Sequence, residues 1–368
     1  MRNKPVIIIA AISSRPYVTA ATAAGFAVIA LDAFADADTQ RLARAVYQIA
    51  CIEDQFDATP LLNILDQLDL NEVVGFCYGA GFEAQPALLE AVAQRLPLVG
   101  NTAATVQACK QPQTLFALCD VLSMPYPAFS MHYPANSSGW LRKRIGGSGG
   151  GHVLPVTAEQ TPDHNVYYQQ TLTGTPVSCL FLASAHGVDI IGFNLQWVSA
   201  TTQQPYRYGG AASQYVLSAQ LEQQFSQFVQ QAAPALSLIG INSCDAIVHE
   251  DAVYLLEINP RLSASLDLYS LVDGHLLAAH VAACQHQPVG PLSVSPIAKA
   301  HQVIYAEHAH VISDNVAWPE WACDIPTSDQ TVAADMPLCT ATAQADDYLA
   351  AQQLVAQRAT SINLSYSP

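Results

Sequence analysis

This 368-residue sequence predicts an open parallel α/β domain at its amino terminus, followed by a longer region of hairpins and helices. Three observations lead there. Over the first hundred residues, short β-branched runs alternate with Ala-rich amphipathic stretches, the pattern of βα units that build a parallel sheet. Beyond them, apolar runs come in neighbouring pairs joined by short turns, as hairpins require. Hydrophobic residues make up 51% of the chain, enough to bury a core in each of two or three domains.

Val6 to Ile12 reads as a buried first strand, because its apolar run is unbroken. A helix over about Tyr17–Ala24 stops at Gly25, and a strand Phe26–Leu31 places Asp32 at its carboxyl end. Helices near Thr39–Ile49 and Leu61–Leu68, a strand Val73–Cys77, a helix Pro86–Arg95 and a strand Leu96–Val99 complete this domain. No G-x-G-x-x-G turn follows the first strand, so a dinucleotide site has little support there. The turns Ser13-Ser14-Arg15 and Tyr78–Glu83 still lie at strand carboxyl ends, where open α/β sheets bind ligands. Two short helices carrying Lys110 fill residues 101–124, and Pro125–Asn136 is a connection. Strands Val166–Gln170, Val177–Ala183 and Asp189–Trp197 follow, then a loop Gln203–Gly210. Tyr215, Leu217, Leu221, Phe225 and Phe228 stand at helical spacing within a helix Ser213–Ala232. Ile241–His249 and Ala252–Asn259 form a hairpin through Glu250-Asp251; residues 286–340 are weakly patterned, and an Ala/Gln-rich helix covers Asp346–Arg358.

The chain carries 14 Lys plus Arg against 30 Asp plus Glu, a formal charge of -16, and has no extended basic face. Binding to nucleic acid or to an anionic membrane surface is therefore not expected. Nine widely spaced cysteines without a C-x-x-C pair read as reduced, mostly buried thiols. The basic and apolar start superficially resembles a signal peptide, but Arg15 interrupts it and a buried strand is the better reading. No stretch approaches the roughly 18 apolar residues of a membrane span, and a cytoplasmic setting is the expectation.

Against that acidity, Arg142-Lys-Arg144 followed by the glycine-rich run Gly146-Gly-Ser-Gly-Gly-Gly151 concentrates cations at one spot. Glycines let backbone N–H groups turn toward an anion, and a strand lysine beside them neutralises it. The alternative is a flexible glycine linker beside a chance basic run. In the hairpin, Glu257 and Asn259 are two residues apart and share a face, which Asp245 on the paired arm can join. Two carboxylates and an amide oxygen are hard ligands suited to Mg²⁺ that also holds phosphates. Leu255, Leu256 and Ile258 mark the second arm as largely buried, so its carboxylate needs a cation or donors. For Asp245 a solvated edge charge stays open. Arg261 just beyond could hold a phosphate or a carboxylate.

A strand lysine with a Gly-rich loop, followed later by Glu257-Ile-Asn-Pro-Arg261, resembles the ATP-grasp superfamily of carboxylate–amine ligases. By motif the likeness covers roughly residues 100–290. It implies an ATP-grasp fold, α/β and α+β, with an amino-terminal open parallel α/β (pre-ATP-grasp) domain over 1–100. A small lobe with the Gly-rich loop would span 101–172, and a large lobe with the metal site and a carboxyl-terminal extension 173–368. The resemblance implies that Lys143 contacts the phosphates of ATP while Gly146, Gly147, Ser148, Gly149 and Gly150 close over them. Lys110 is similar to an earlier ATP-binding lysine, and Asp245, Glu257 and Asn259 match ligands for Mg²⁺ or Mn²⁺. Gln169 and Gln170 stand where many members carry an acidic nucleotide contact; backbone near Leu172 could meet the adenine.

Such ligases make an acyl phosphate from the acid and ATP, then an amide from the amine, so Lys143 and Arg261 are the expected catalytic cations. No residue has to act as a covalent nucleophile, and most cysteines and histidines read as core or surface; His152, beside the loop, is the one to watch. Arg15, Glu83, Arg207 and Tyr208 are substrate candidates on loops turned to the cleft, with a surface role open for each. Ser14-Arg15, Leu31–Asp38, Gly79–Glu83, Gly100-Asn101 and Tyr208-Gly-Gly210 together resemble a branch of ATP-grasp ligases in one-carbon metabolism of methylotrophs and methanogens. Relatives there join glutamate to tyramine or a similar amine, such as tyrosine, in building methanofuran- or methylofuran-type cofactors. The partners expected are thus a small carboxylate and an amine, with a homodimer open. Two alternatives remain: an ATP-dependent carboxylase resembling biotin carboxylase, and a non-catalytic nucleotide-binding protein.

Overall fold

The computed structural model describes residues 4–157, 163–314 and 316–366, with side chains through residue 362. Its first sheet has five parallel strands in the spatial order Ala45–Gln48, Ala27–Asp32, Val6–Ala11, Val73–Tyr78, Leu98–Val99. Every residue of Val6–Ala11 is buried, as a central strand covered on both faces must be. The chain order reverses beside this strand, which opens a crevice at its carboxyl end. Asp32 organises that crevice from below. Fully buried, it accepts hydrogen bonds from Ser14 N (2.6 Å), Phe34 N (2.7 Å) and Ala35 N (2.7 Å), and so fixes two turns at once.

The helix expected over Thr39–Ile49 is split. Asp36 caps a short helix Ala37–Leu42, and Ala45–Gln48 becomes the edge strand instead. Val46 and Tyr47 favour a pleated surface, and the open edge of Ala27–Asp32 offers them one.

A second, antiparallel sheet runs in the order Leu154–Pro155, Trp140–Arg144, Val166–Gln170, Phe129–Ser130. The third has eight antiparallel strands and contains the hairpin Gly240–His249/Ala252–Asn259 at one end. Gly209 and Gly210, expected in a loop, lie in its strand Tyr208–Ala212, where a Cβ on Gly210 would strike the His301 carbonyl and the Trp197 ring. The long helix begins at Ala219, capped by Ser218, rather than at Ser213. Ser213 N and Tyr215 N bond to Lys299 O (2.8 Å) and Phe193 O (2.9 Å), so tertiary partners hold that stretch extended. The weakly patterned region supplies strands Ala298–Tyr305 and Pro337–Ala345 to the same sheet, covered by a helix Tyr348–Tyr366. Their buried residues include Ala298, Ala300, Ala341 and Ala343, small side chains that let the helix sit close and leave little hydrophobic contrast to read.

Asn101 locks the first domain to the large sheet. Its amide donates to Asn242 Oδ1 (2.7 Å) and Pro260 O (2.9 Å), and its oxygen accepts from Ile239 N (2.8 Å). Asn101→Ala orphans two of these partners and is expected to cost about 2–4 kcal/mol, read as a lower midpoint in urea unfolding.

Candidate functional site

Pairing across the hairpin sets Asp245 directly opposite Glu257 and Ser243 opposite Asn259, so all four side chains share one face of the sheet. Asn259 Nδ2 donates to Asp245 Oδ2 (2.7 Å) and Gln196 Nε2 to Asp245 Oδ1 (3.0 Å). Lys110, at the end of helix Ala103–Lys110, donates to Glu257 Oε2 (2.9 Å) and Asn259 Oδ1 (2.7 Å). Burial and the facing Glu257 push the Asp245 carboxyl up to about 7. Burial also opposes charge on Glu257, but Lys110 and Lys143 outweigh it and hold that carboxyl far below its ordinary value. The Glu257 side chain keeps 32% exposure, all of it toward a cleft.

Lys143 enters from the small sheet. Its Nζ donates to Gln169 Oε1 (3.1 Å), a same-face neighbour on the paired strand, and lies 5.7 Å from the Tyr167 ring centre. Arg142 and Arg144 alternate to the other face, where Arg142 pairs with Asp163 and Arg144 with Glu53 and Asp54. The Gly-rich loop lies down over the cleft. Ser148 N donates to the Asp54 carboxylate, and Gly149 O accepts from Tyr208 N (2.9 Å). Gly146, Gly149 and Gly150 take left-handed φ values of 72°, 68° and 74°, and a Cβ on Gly146 or Gly150 would strike backbone at Glu83–Ala84 or Tyr206. His152 stacks on Gly147; burial lowers its imidazole to about 4, and Nδ1 accepts from Arg144 N (3.2 Å). It is neutral and braces the loop.

Arg261 pairs with Glu83 (2.6 Å) and reaches Asn259 Oδ1 (3.3 Å). Glu83, a substrate candidate by sequence, thus faces Arg261. Arg207 is spent on Ser199 O, Asp335 and the Tyr305 ring, 3.6 Å away. Tyr208 bonds through its hydroxyl to His301 Nε2 (2.7 Å) and lines a cavity of about 360 Å³. Arg15 lines the same cavity between Asp267 (2.8 Å) and Asp324 (3.0 Å). Gln170 is exposed, Leu172 half-buried, and neither lines that cavity.

Several lining residues escaped the sequence reading. Ser243 is 2% exposed, and its hydroxyl finds no hydrogen-bond partner among the described residues. Its position two before Asp245 on a strand was the available signal. Asp36 lies within the phrase Leu31–Asp38 without a role of its own, while Asp267, in the 3-10 helix Ala264–Leu268, and Asp324 carried no signal.

The residues fit a divalent cation with phosphates. Two facing carboxylates and an amide oxygen are hard oxygen donors, and Asp245 is bonded by the amides of Gln196 and Asn259 rather than by a cation; no trio of His, Cys, Asp or Glu suited to a metal converges among the described residues. The Gln169 amide nitrogen, buried without a partner, is a donor open to a nucleotide acceptor.

Residues 113–265 match the ATP-grasp domain family. The structure is similar to biotin carboxylase from Campylobacter jejuni, in its β,γ-ATP complex, at 14% identity and TM-score 0.73 over 96% of this chain and 90% of that one. It is similar to L-amino acid ligase from Bacillus licheniformis at 13% identity and TM-score 0.67, covering 97% of each chain. N5-carboxyaminoimidazole synthetase from Staphylococcus aureus with ADP gives 12% and 0.68, covering 98% of each. No curated protein matches the sequence. The chain therefore has the ATP-grasp fold with a parallel amino-terminal sheet.

Folded Asp245 holds its proton more tightly than unfolded Asp245, so this group favours folding at low pH and loses its contribution as pH rises to about 7. A divalent cation displaces that proton. Thermal stabilisation by Mg²⁺ should therefore grow from about pH 6 to about pH 8, and Asp245→Asn should remove both the response and its pH dependence. Lys143→Ala should abolish stabilisation by ATP with Mg²⁺; an unchanged shift in that variant removes Lys143 from the phosphate site.

Proposed function

We propose that the chain is an ATP- and Mg²⁺-dependent ligase that joins a carboxylate to an amine through an acyl phosphate, releasing ADP and phosphate. One observation carries this: a single cavity of about 360 Å³ is lined by Ser148 and Gly149 of the Gly-rich loop, by Asp245, Glu257 and Asn259, and by apolar side chains such as Phe34 and Val303.

A carboxylate is a poor acyl donor because its oxygen cannot leave as oxide. In the first step a substrate carboxylate oxygen attacks the γ-phosphorus and the bond to the ADP oxygen breaks. In the second, the amine nitrogen bonds to the acyl carbon, the acyl–phosphate bond breaks, and the nitrogen sheds its proton. Lys143 and Arg261 neutralise the oxygens that gain charge, and Lys110 orients Glu257 and Asn259. Bound Mg²⁺ or Mn²⁺, held by Asp245, Glu257 and Asn259, would supply further charge neutralisation at the phosphates. The loop, fastened through Ser148 and Gly149, keeps water from the acyl phosphate.

The substrate pair we assign first is glutamate with tyramine or tyrosine, in a methanofuran- or methylofuran-type cofactor of one-carbon metabolism. It rests on the phrases around Arg15, Asp38, Glu83 and Tyr208. A cytoplasmic setting accords with nine free cysteines and with the absence of any membrane-length apolar helix among the described residues. A homodimer and the division at 100 and 172 complete the proposal.

ADP release should require both acid and amine, and mass spectrometry should find the amide. Release that needs bicarbonate and no amine would establish carboxylation instead. No turnover across a broad acid and amine panel would leave a nucleotide-binding protein.

A further inference from the structure

The cavity is lined by more carboxylates than cations. Toward the hairpin it is lined by Arg261 with Asp54, Asp245 and Glu257, the last of these paired to Lys110; farther along, Asp36, Asp267 and Asp324 line it with one guanidinium, Arg15, which pairs with the last two. Arg15 is consumed by its two aspartates, and Ser13 and Thr340 also donate to Asp324. His301 adds no charge, since burial lowers its imidazole to about 4.

Asp36 has no such partner. It is 3% exposed, lines the cavity, and its two oxygens accept only from Thr39 N (2.8 Å) and Thr39 Oγ1 (2.9 Å); no cation reaches it among the described residues. Burial and Asp324 push its carboxyl up to about 7. Behind it lies Asp32, and the neighbouring Asp38 is taken by Arg41 and by Ile325 N. When ionised, this carboxylate has no counter-ion in the protein, and a ligand cation in the cavity would supply one. Phe34, Tyr17, Val303, Val332 and Leu338 give the same cavity apolar walls.

We propose that this chamber binds the amine substrate as an organic ammonium on an apolar body, with Asp36 as its charge partner and specificity determinant. Arg15 is then the strut between Asp267 and Asp324, not a carboxylate clamp. The acid then belongs beside Arg261, a cation that lines the cavity next to the hairpin. The inference rests on the ligase reading for turnover, but its test is binding alone.

Titration calorimetry on the full chain, with Mg²⁺ and a non-hydrolysable ATP analogue, would compare 2-phenylethylamine and hexylamine with 2-phenylethanol and 3-phenylpropionate. The amines should bind at least about tenfold more tightly than the alcohol or the acid. Asp36→Asn keeps an equivalent helix cap while removing the charge, and should weaken amine binding at least about tenfold with nucleotide affinity unchanged. Equal binding of alcohol and amine, tighter binding of the acid, no binding of either amine, or an unaffected Asp36→Asn variant each overturns the assignment. Should that variant not fold, the wild-type series decides. Amines that bind without ever supporting ADP release would instead count against the ligase reading.

Discussion

The buried ion pair between Glu83 and Arg261 is the contact on which the site depends. Glu83 also accepts from Gly81 N (2.9 Å) and Phe82 N (3.1 Å), so it fixes a turn of the first domain while gripping Arg261 just beyond the hairpin. Burial alone would keep its carboxyl neutral; Arg261 and Lys110 reverse that and hold it ionised. Its own carbonyl leaves no room for a Cβ at Gly146. Amino-terminal domain, hairpin and Gly-rich loop therefore meet at one residue. Such a pair gives little net stability, because desolvation offsets the attraction, but either partner alone would be a stranded charge. Its value is register.

Charge scarcity gives the rest of the site its logic. The chain has four lysines, and two of them, Lys110 and Lys143, stand over the Asp245–Glu257 pair. Without them those carboxylates could not both ionise beside each other in a low-dielectric cleft. Three further aspartates, Asp36, Asp267 and Asp324, line the same cavity, with Arg15 between the last two. The cavity walls come from the first domain and from the carboxyl-terminal strands, which explains why a weakly patterned region matters to the site.

The cation–glycine segment and the carboxylate–amide hairpin were legible because their residues are local in sequence. Strand periodicity alone puts Glu257 and Asn259 on one face, and alternation along Trp140–Arg144 separates Lys143 from Arg142 and Arg144, as their partners show. The parallel sheet was equally readable, since Val6–Ala11 needs cover on both faces. Errors fell where tertiary contacts override local preference: Val46 and Tyr47 joined a sheet edge, and Ser213–Tyr215 was held extended by Lys299 and Phe193.

The sequence by itself determined the βα pattern of the first domain, the cation–glycine segment and the carboxylate–amide face, because each follows from spacing within one element. Only the tertiary structure decided that Lys110 faces Glu257, that Glu83 and Arg261 form a pair, and that Asp36, Asp267 and Asp324 surround one chamber with Arg15. Those groupings join residues up to 309 positions apart. No periodicity encodes them; they arise from the packing of three sheets around one cleft.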